Sequence, residues 1–223
     1  MIDMEAVDRE IRAARAELAD PGNAKGILSL PTRKRIWRAM LDPDDDEVSY
    51  QHRIRLKIAC VRHVLPVWYR GFPGDQRVEE MITLTQDLMD RRTTDIDQAR
   101  MTAGTFLSNA ISDAEPDTTE PEPGESVIYP DPVKDVSALV ANAASLMVVS
   151  ACHRDPDMDL WEDFDDMVDD DELLPDSLES SYSCASAAAG ALNWMPVEQT
   201  DVPARRAFWT WYLNEAIPTT LTT

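Results

Sequence analysis

Apolar residues along this chain recur at steps of three and four almost everywhere, the period of a helix with one face turned to a core. In the first segment Ile2, Ala6, Val7, Ile11, Ala14 and Leu18 keep that step until Pro21-Gly22-Asn23 ends the run. A short helix follows from near Ser29, with Pro31 in its first turn and Ile36, Trp37, Met40 and Leu41 ahead of Asp42-Pro43. A longer one runs from Asp46 through Tyr50, Ile54, Ile58, Val61 and Leu65 until Pro66 kinks or stops it, its other face carrying Arg53, Arg55, Lys57 and Arg62.

After GFPGDQRVEEM, where Asp75 is placed to cap a helix, Val78, Met81, Ile82, Leu84 and Leu88 give a fourth helix. Thr94 or Asp95 caps a fifth, through Ile96, Met101, Phe106, Leu107 and Ile111. VSALVANAASLMVVSA, from Val136, is apolar nearly all round, the signature of a helix inside a bundle. Asp176 and Glu179 resemble a capping box ahead of the Ala-rich SSYSCASAAAGAL, whose small side chains allow close approach of neighbouring helices. Thr200 or Asp201 caps a last helix, VPARRAFWTWYLNEAI, that Pro218 ends. No convincing alternating strand appears. The pattern predicts an all-α bundle of about eight helices forming a single domain over residues 1–223. Within it, residues 113–131 are rich in Pro and Glu, lack a helical period and read as a flexible insertion or linker.

Charge changes this picture. The net charge is -21, and it is unevenly spread: residues 1–110 hold 17 Lys and Arg against 18 Asp and Glu, residues 111–223 only 4 against 24. That sign argues against nucleic acid or an anionic membrane as a direct ligand. The densest part is DPDMDLWEDFDDMVDDDELLPD, Asp155 to Asp176, with twelve acids and no Lys or Arg. The same stretch contains Leu160, Trp161, Phe164, Met167, Val168, Leu173 and Leu174, so a helix there would turn an apolar stripe inward and its acids outward. Glu162, Asp163, Asp165, Asp166, Asp169, Asp170, Asp171 and Glu172 are therefore the candidate contact surface for a basic partner.

Other chemistry is sparse. Asp155, Asp157, Asp159 and Asp166 imitate positions one, three, five and twelve of a calcium loop, but position six, which needs Gly, holds Leu160, and position twelve lacks the bidentate Glu. Cys60, Cys152 and Cys184 are too widely spaced for a zinc site or disulfide framework and read as reduced thiols. His52, His63 and His153 lack metal-ligand spacing. No nucleophile elbow, phosphate loop or dinucleotide fingerprint is present, so neither an enzyme nor a cofactor is expected. The N-terminus lacks the continuous apolar run of a secretion signal, and no uninterrupted apolar stretch reaches the roughly 18 residues of a membrane span, which points to the cytoplasm.

Three stretches carry a family resemblance: LSLPTRKRIWRAML, RLKIACVRHVLPVWYRGFPGDQRVEEMI and PARRAFWTWYLNEAIP. With Ile36-Trp37, Leu65 to Trp68, Phe72 to Asp75, Phe208-Trp209, Trp211 to Leu213 and Ala216 to Pro218, the chain resembles the fifth family of immunity proteins of bacterial polymorphic toxin systems. An acidic segment followed by an Ala-rich helix containing Tyr182 is similar to that family's pattern. The resemblance implies a cytoplasmic, helical, non-enzymatic protein that neutralises a cognate toxin domain and has no catalytic residues to carry over. A toxin with a basic surface, a nuclease first, is the expected partner. The alternatives are an acidic adaptor without a toxin partner and a protein dependent on a divalent cation.

Overall fold

The computed structural model describes residues 1–114, 132–160 and 179–222. Its helices are α1 (Met4–Ala19), α2 (Leu30–Ala39), α3 (Asp46–Gly71), α4 (Arg77–Met89), α5 (Ile96–Ala114), α6 (Pro132–Ala151), α7 (Ser180–Ala189), α8 (Val202–Trp211) and α9 (Ile217–Leu221). Among the described residues there is no strand, and the all-α expectation holds. Asp113 and Ala114 extend α5 into what reads as an insertion; residues 115–131 lie outside the described part.

α6 is the centre of the bundle. It touches α3, α4, α5 and α7 and buries Val140, Ala141, Ala143, Ala144, Met147 and Val148. By length and composition its Val133–Ala151 portion could cross a membrane, and it is spent here as a core helix. α3 is buried on more sides than its spacing suggests. Alongside Ile54, Ile58 and Val61, the residues Arg53, Lys57 and His52 are buried, while Arg62 is exposed. The supposed polar face of α3 is therefore divided, half of it inside.

Two prolines fail to end their helices. α3 continues past Pro66 to Gly71, where Trp68 is wholly buried and gives its indole N–H to the Asp75 carbonyl at 3.0 Å. The C-terminal helix was expected to stop at Pro218. Instead α8 passes into a π turn, Tyr212–Ala216, in which the Ile217 N–H donates to the Tyr212 carbonyl five residues back. Pro218 then falls in the first turn of the restarted α9, where its missing N–H costs little.

Candidate partner-binding face

The acidic stretch begins four residues after α6 ends. Terminal carbonyls of a helix have no partners within it, and at this end α3 supplies them. Tyr50 Oη donates to the Ala151 carbonyl at 2.9 Å. The Arg53 guanidinium donates to the carbonyls of Ser150 at 3.2 Å and Asp155 at 2.7 Å, and to that of His153. Burial lowers the Arg53 pKa, against the pull of Asp159, Tyr50, Asp155 and Asp157. Arg154 turns the other way, binding both Glu47 carboxylate oxygens at 2.7 and 2.8 Å and the Leu88 carbonyl at 2.9 Å, with its guanidinium 4.6 Å from the Tyr50 ring. Burial disfavours the Glu47 carboxylate, but hydrogen bonds from Arg154, Arg91 and Gln51 outweigh it and hold the pKa below the usual value.

The next contact is ionic: Lys57 Nζ meets Asp159 at 2.9 Å with both side chains largely buried. On the far border, Arg33 of α2, 1% exposed, pairs with Glu179 at 3.0 Å. Glu179 also caps α7, accepting the N–H groups of Ser181 and Tyr182 at 2.7 and 2.9 Å. The capping box expected from Asp176 and Glu179 is thus shifted: Glu179 is itself the N-cap, and Asp176 lies outside the described residues. Arg33 further stacks over Trp37, Tyr182 and Trp209 at 5.5 to 6.0 Å. Both borders of the acidic stretch therefore rest on cations that α2 and α3 hold inside the fold.

Between the borders lies a small pocket of about 40 Å³, lined by Trp37, Leu41, His52, Lys57, Asp159, Glu179 and Tyr212 among others. Trp37 donates to Tyr212 Oη there at 2.9 Å. The eight candidate contact residues, Glu162, Asp163, Asp165, Asp166, Asp169, Asp170, Asp171 and Glu172, lie outside the described residues. What the structure places are the borders that carry them. Sequence reasoning missed the anchors Arg33, Arg53 and Lys57, because their partners are about a hundred or more residues away.

The imitation calcium loop does not assemble in its described part. Asp159 is spent on Lys57, and Met158–Leu160 is a 3-10 turn. Among the described residues no group of three or more His, Cys, Asp or Glu could hold a metal ion. Cys60 and Cys184 are buried and unpaired, and burial pushes both thiols well above the ordinary value. Trp209 and Trp211 diverge as their two-residue spacing requires: Trp209 is in the core, and Trp211 stacks on His63 at 3.8 Å between ring centroids.

These features define an all-α scaffold whose described buried charges act as anchors. The family comparison agrees with the resemblance carried by the 65–75 block and the C-terminal helix. The chain belongs to the Imm5 immunity protein family, whose model matches residues 11–219. Membership supports a toxin-neutralising immunity role. No curated protein matches the chain.

Proposed function

We propose that the protein is a cytoplasmic, non-enzymatic immunity protein that binds one cognate toxin domain stoichiometrically and blocks its active site or substrate path. The contact runs through Glu162, Asp163, Asp165, Asp166, Asp169, Asp170, Asp171 and Glu172. One observation carries the reading: the acidic stretch is bordered on each side by residues fixed to buried cations, Asp155 and Asp159 on Arg53 and Lys57, and Glu179 on Arg33. Border residues already fixed in the fold add little ordering cost on binding. Those acids have no Lys or Arg within their own stretch, so a cationic partner is their natural complement.

The partner's surface is therefore basic. A nuclease fits best, because a groove that holds phosphates can be filled by carboxylates presented at the same places. The complementarity also disfavours nucleic acid or an anionic membrane as a direct ligand. Reversing Asp166, Asp169 and Asp170 together to Lys tests the reading against the product of the adjacent toxin gene. Association should slow and its salt dependence flatten, since screening near 8 Å at physiological ionic strength already mutes part of the attraction. A wild-type rate and salt slope in the triple variant would move the interface elsewhere.

A further inference from the structure

The α7–α8 loop presents four consecutive apolar residues, Trp194, Met195, Pro196 and Val197. Trp194 is 40% and Val197 39% exposed. A single exposed apolar side chain is ordinary on a soluble protein; a run of four at the tip of one loop is less so.

The loop is held firmly from below. Arg205, with no exposed surface, donates to the Ala191 carbonyl at 2.6 Å and to that of Lys25 at 3.4 Å. The Lys25 ammonium in turn donates to the Asn193 carbonyl. The buried Asn193 N–H bonds Tyr182 Oη at 3.2 Å, and the Asp201 N–H bonds the Ala189 carbonyl at 2.9 Å. A 3-10 turn at Val197–Gln199 closes the tip. The backbone that presents Trp194 is thus ordered before any partner arrives, so little conformational freedom remains to be lost on contact.

Position and charge say what arrives. Tyr182 stands three residues after Glu179, the border of the acidic stretch, and packs with Leu30, Leu192 and Trp37 in one small cluster. The loop leaves the C-terminal end of α7 but is tied back to its first turn, beside the end of that stretch, by the Asn193–Tyr182 hydrogen bond and the Leu192 contact. Exposed Glu198 and Asp201 rim the tip. The nearby cations Lys25, Arg205 and Arg206 are turned onto backbone carbonyls of the protein itself. An apolar tip with an acidic rim suits a basic partner. It does not suit a second copy of a chain whose net charge is -21.

We infer that Trp194, with Val197 beside it, is an apolar anchor of the toxin interface: the acidic stretch speeds encounter, and the tip slows release. The inference rests on the immunity reading above and adds a second, chemically distinct contact to it. Buried tryptophans dominate many interfaces, and their loss appears chiefly in the dissociation rate.

The test uses the full chain and the catalytically inactivated toxin domain encoded beside it, followed by stopped-flow association and dissociation. Trp194→Ala should raise the dissociation rate at least tenfold and leave the association rate and its salt slope within twofold of wild type. Val197→Ser, a neutral change at another exposed position, should raise it in the same direction, and both variants should keep the wild-type melting temperature. The triple reversal at Asp166, Asp169 and Asp170 should do the opposite, changing association more than release. If the triple reversal slows association but both tip variants dissociate as wild type does, the tip is not a contact and the immunity reading stands. If wild type forms no complex with the toxin, the underlying reading fails and this one with it. A wild-type dimer in sedimentation that Trp194→Ala abolishes would assign the tip to self-association and overturn the proposal.

Discussion

Arg33 and Glu179 form an ion pair at 3.0 Å in which a guanidinium with 1% of its surface exposed meets the carboxylate that also caps α7. One acidic side chain thus settles a buried charge and orders a helix start. Glu179→Ala removes both services. A cap lost to Ala costs about 1 kcal/mol, and a hydrogen bond to a charged group lost with it about 1.5 to 3 kcal/mol. A loss of roughly 3 kcal/mol in urea unfolding is expected for Glu179→Ala, and a smaller loss for Glu179→Gln, which keeps an acceptor for the Ser181 and Tyr182 amides.

Lys57 and Asp159 pose the same question on the other border. Their contact at 2.9 Å is nearly dry, so each single removal should be costly, about 3 kcal/mol, while exchange of both for apolar residues of similar volume should recover most of the loss. Lys57→Met with Asp159→Leu completes a cycle readable by denaturant midpoint. If the double variant is as unstable as the sum of the singles, the pair is not coupled.

Much of the fold was legible because helical period, caps and breakers agree along most of the chain. Ser29, Asp45 and Asp201 each precede a helix start, and Gly190 adopts the left-handed conformation that closes α7. Pro66 and Pro218 misled because helix termination by proline is a local rule, and tertiary contacts and a π turn overrode it. The acidic stretch was plain from composition. Its anchoring was not, since Arg53 reads as a surface charge until the carbonyls of Ser150, His153 and Asp155 are folded onto it. The Trp194 tip gave no period to read.

Stability should decline on mild acidification through the histidines. Burial lowers the His52 pKa, Arg55 adds to the effect, and Asp42 opposes it; His63 and His153 are also lowered, burial being the largest cause for each. The unfolded chain therefore takes up protons near pH 6.5 that the folded chain resists, so the unfolding free energy falls as pH drops below about 6.5. His52 Nδ1 is buried without a hydrogen bond, so His52→Met removes a titrating group without breaking a contact at that atom. Between pH 7.5 and 5.5 the variant should gain on wild type by no more than about 1.4 kcal/mol per pH unit. Ordinary carboxyls stay largely ionised in that window, which keeps changes in acidic self-repulsion out of the comparison. Parallel curves would show that His52 is not responsible.

The same substitution at two glycines should have opposite signs. A Cβ at Gly71, the last residue of α3, would meet the Ser137 side chain of α6, its Cβ at 2.8 Å, and the Val133 carbonyl at 3.2 Å. Ser137 cannot give way easily: it is fully buried, and its hydroxyl lies 2.9 Å from the carbonyls of both Val67 and Val133. Gly71→Ala therefore forces apart the two helices that carry most of the core, at about 2 kcal/mol. Gly104, within α5, has nothing within 4 Å of its added Cβ. There Ala restricts only the unfolded chain and should stabilise by about 0.5 to 1 kcal/mol. Ser137→Gly makes room for the methyl group that Gly71→Ala adds, at the usual helix cost of about 1 kcal/mol. The Gly71→Ala, Ser137→Gly double variant should then be more stable than the sum of the two single changes, and simple additivity in thermal melts would show that close approach of α3 and α6 is not what demands glycine at position 71.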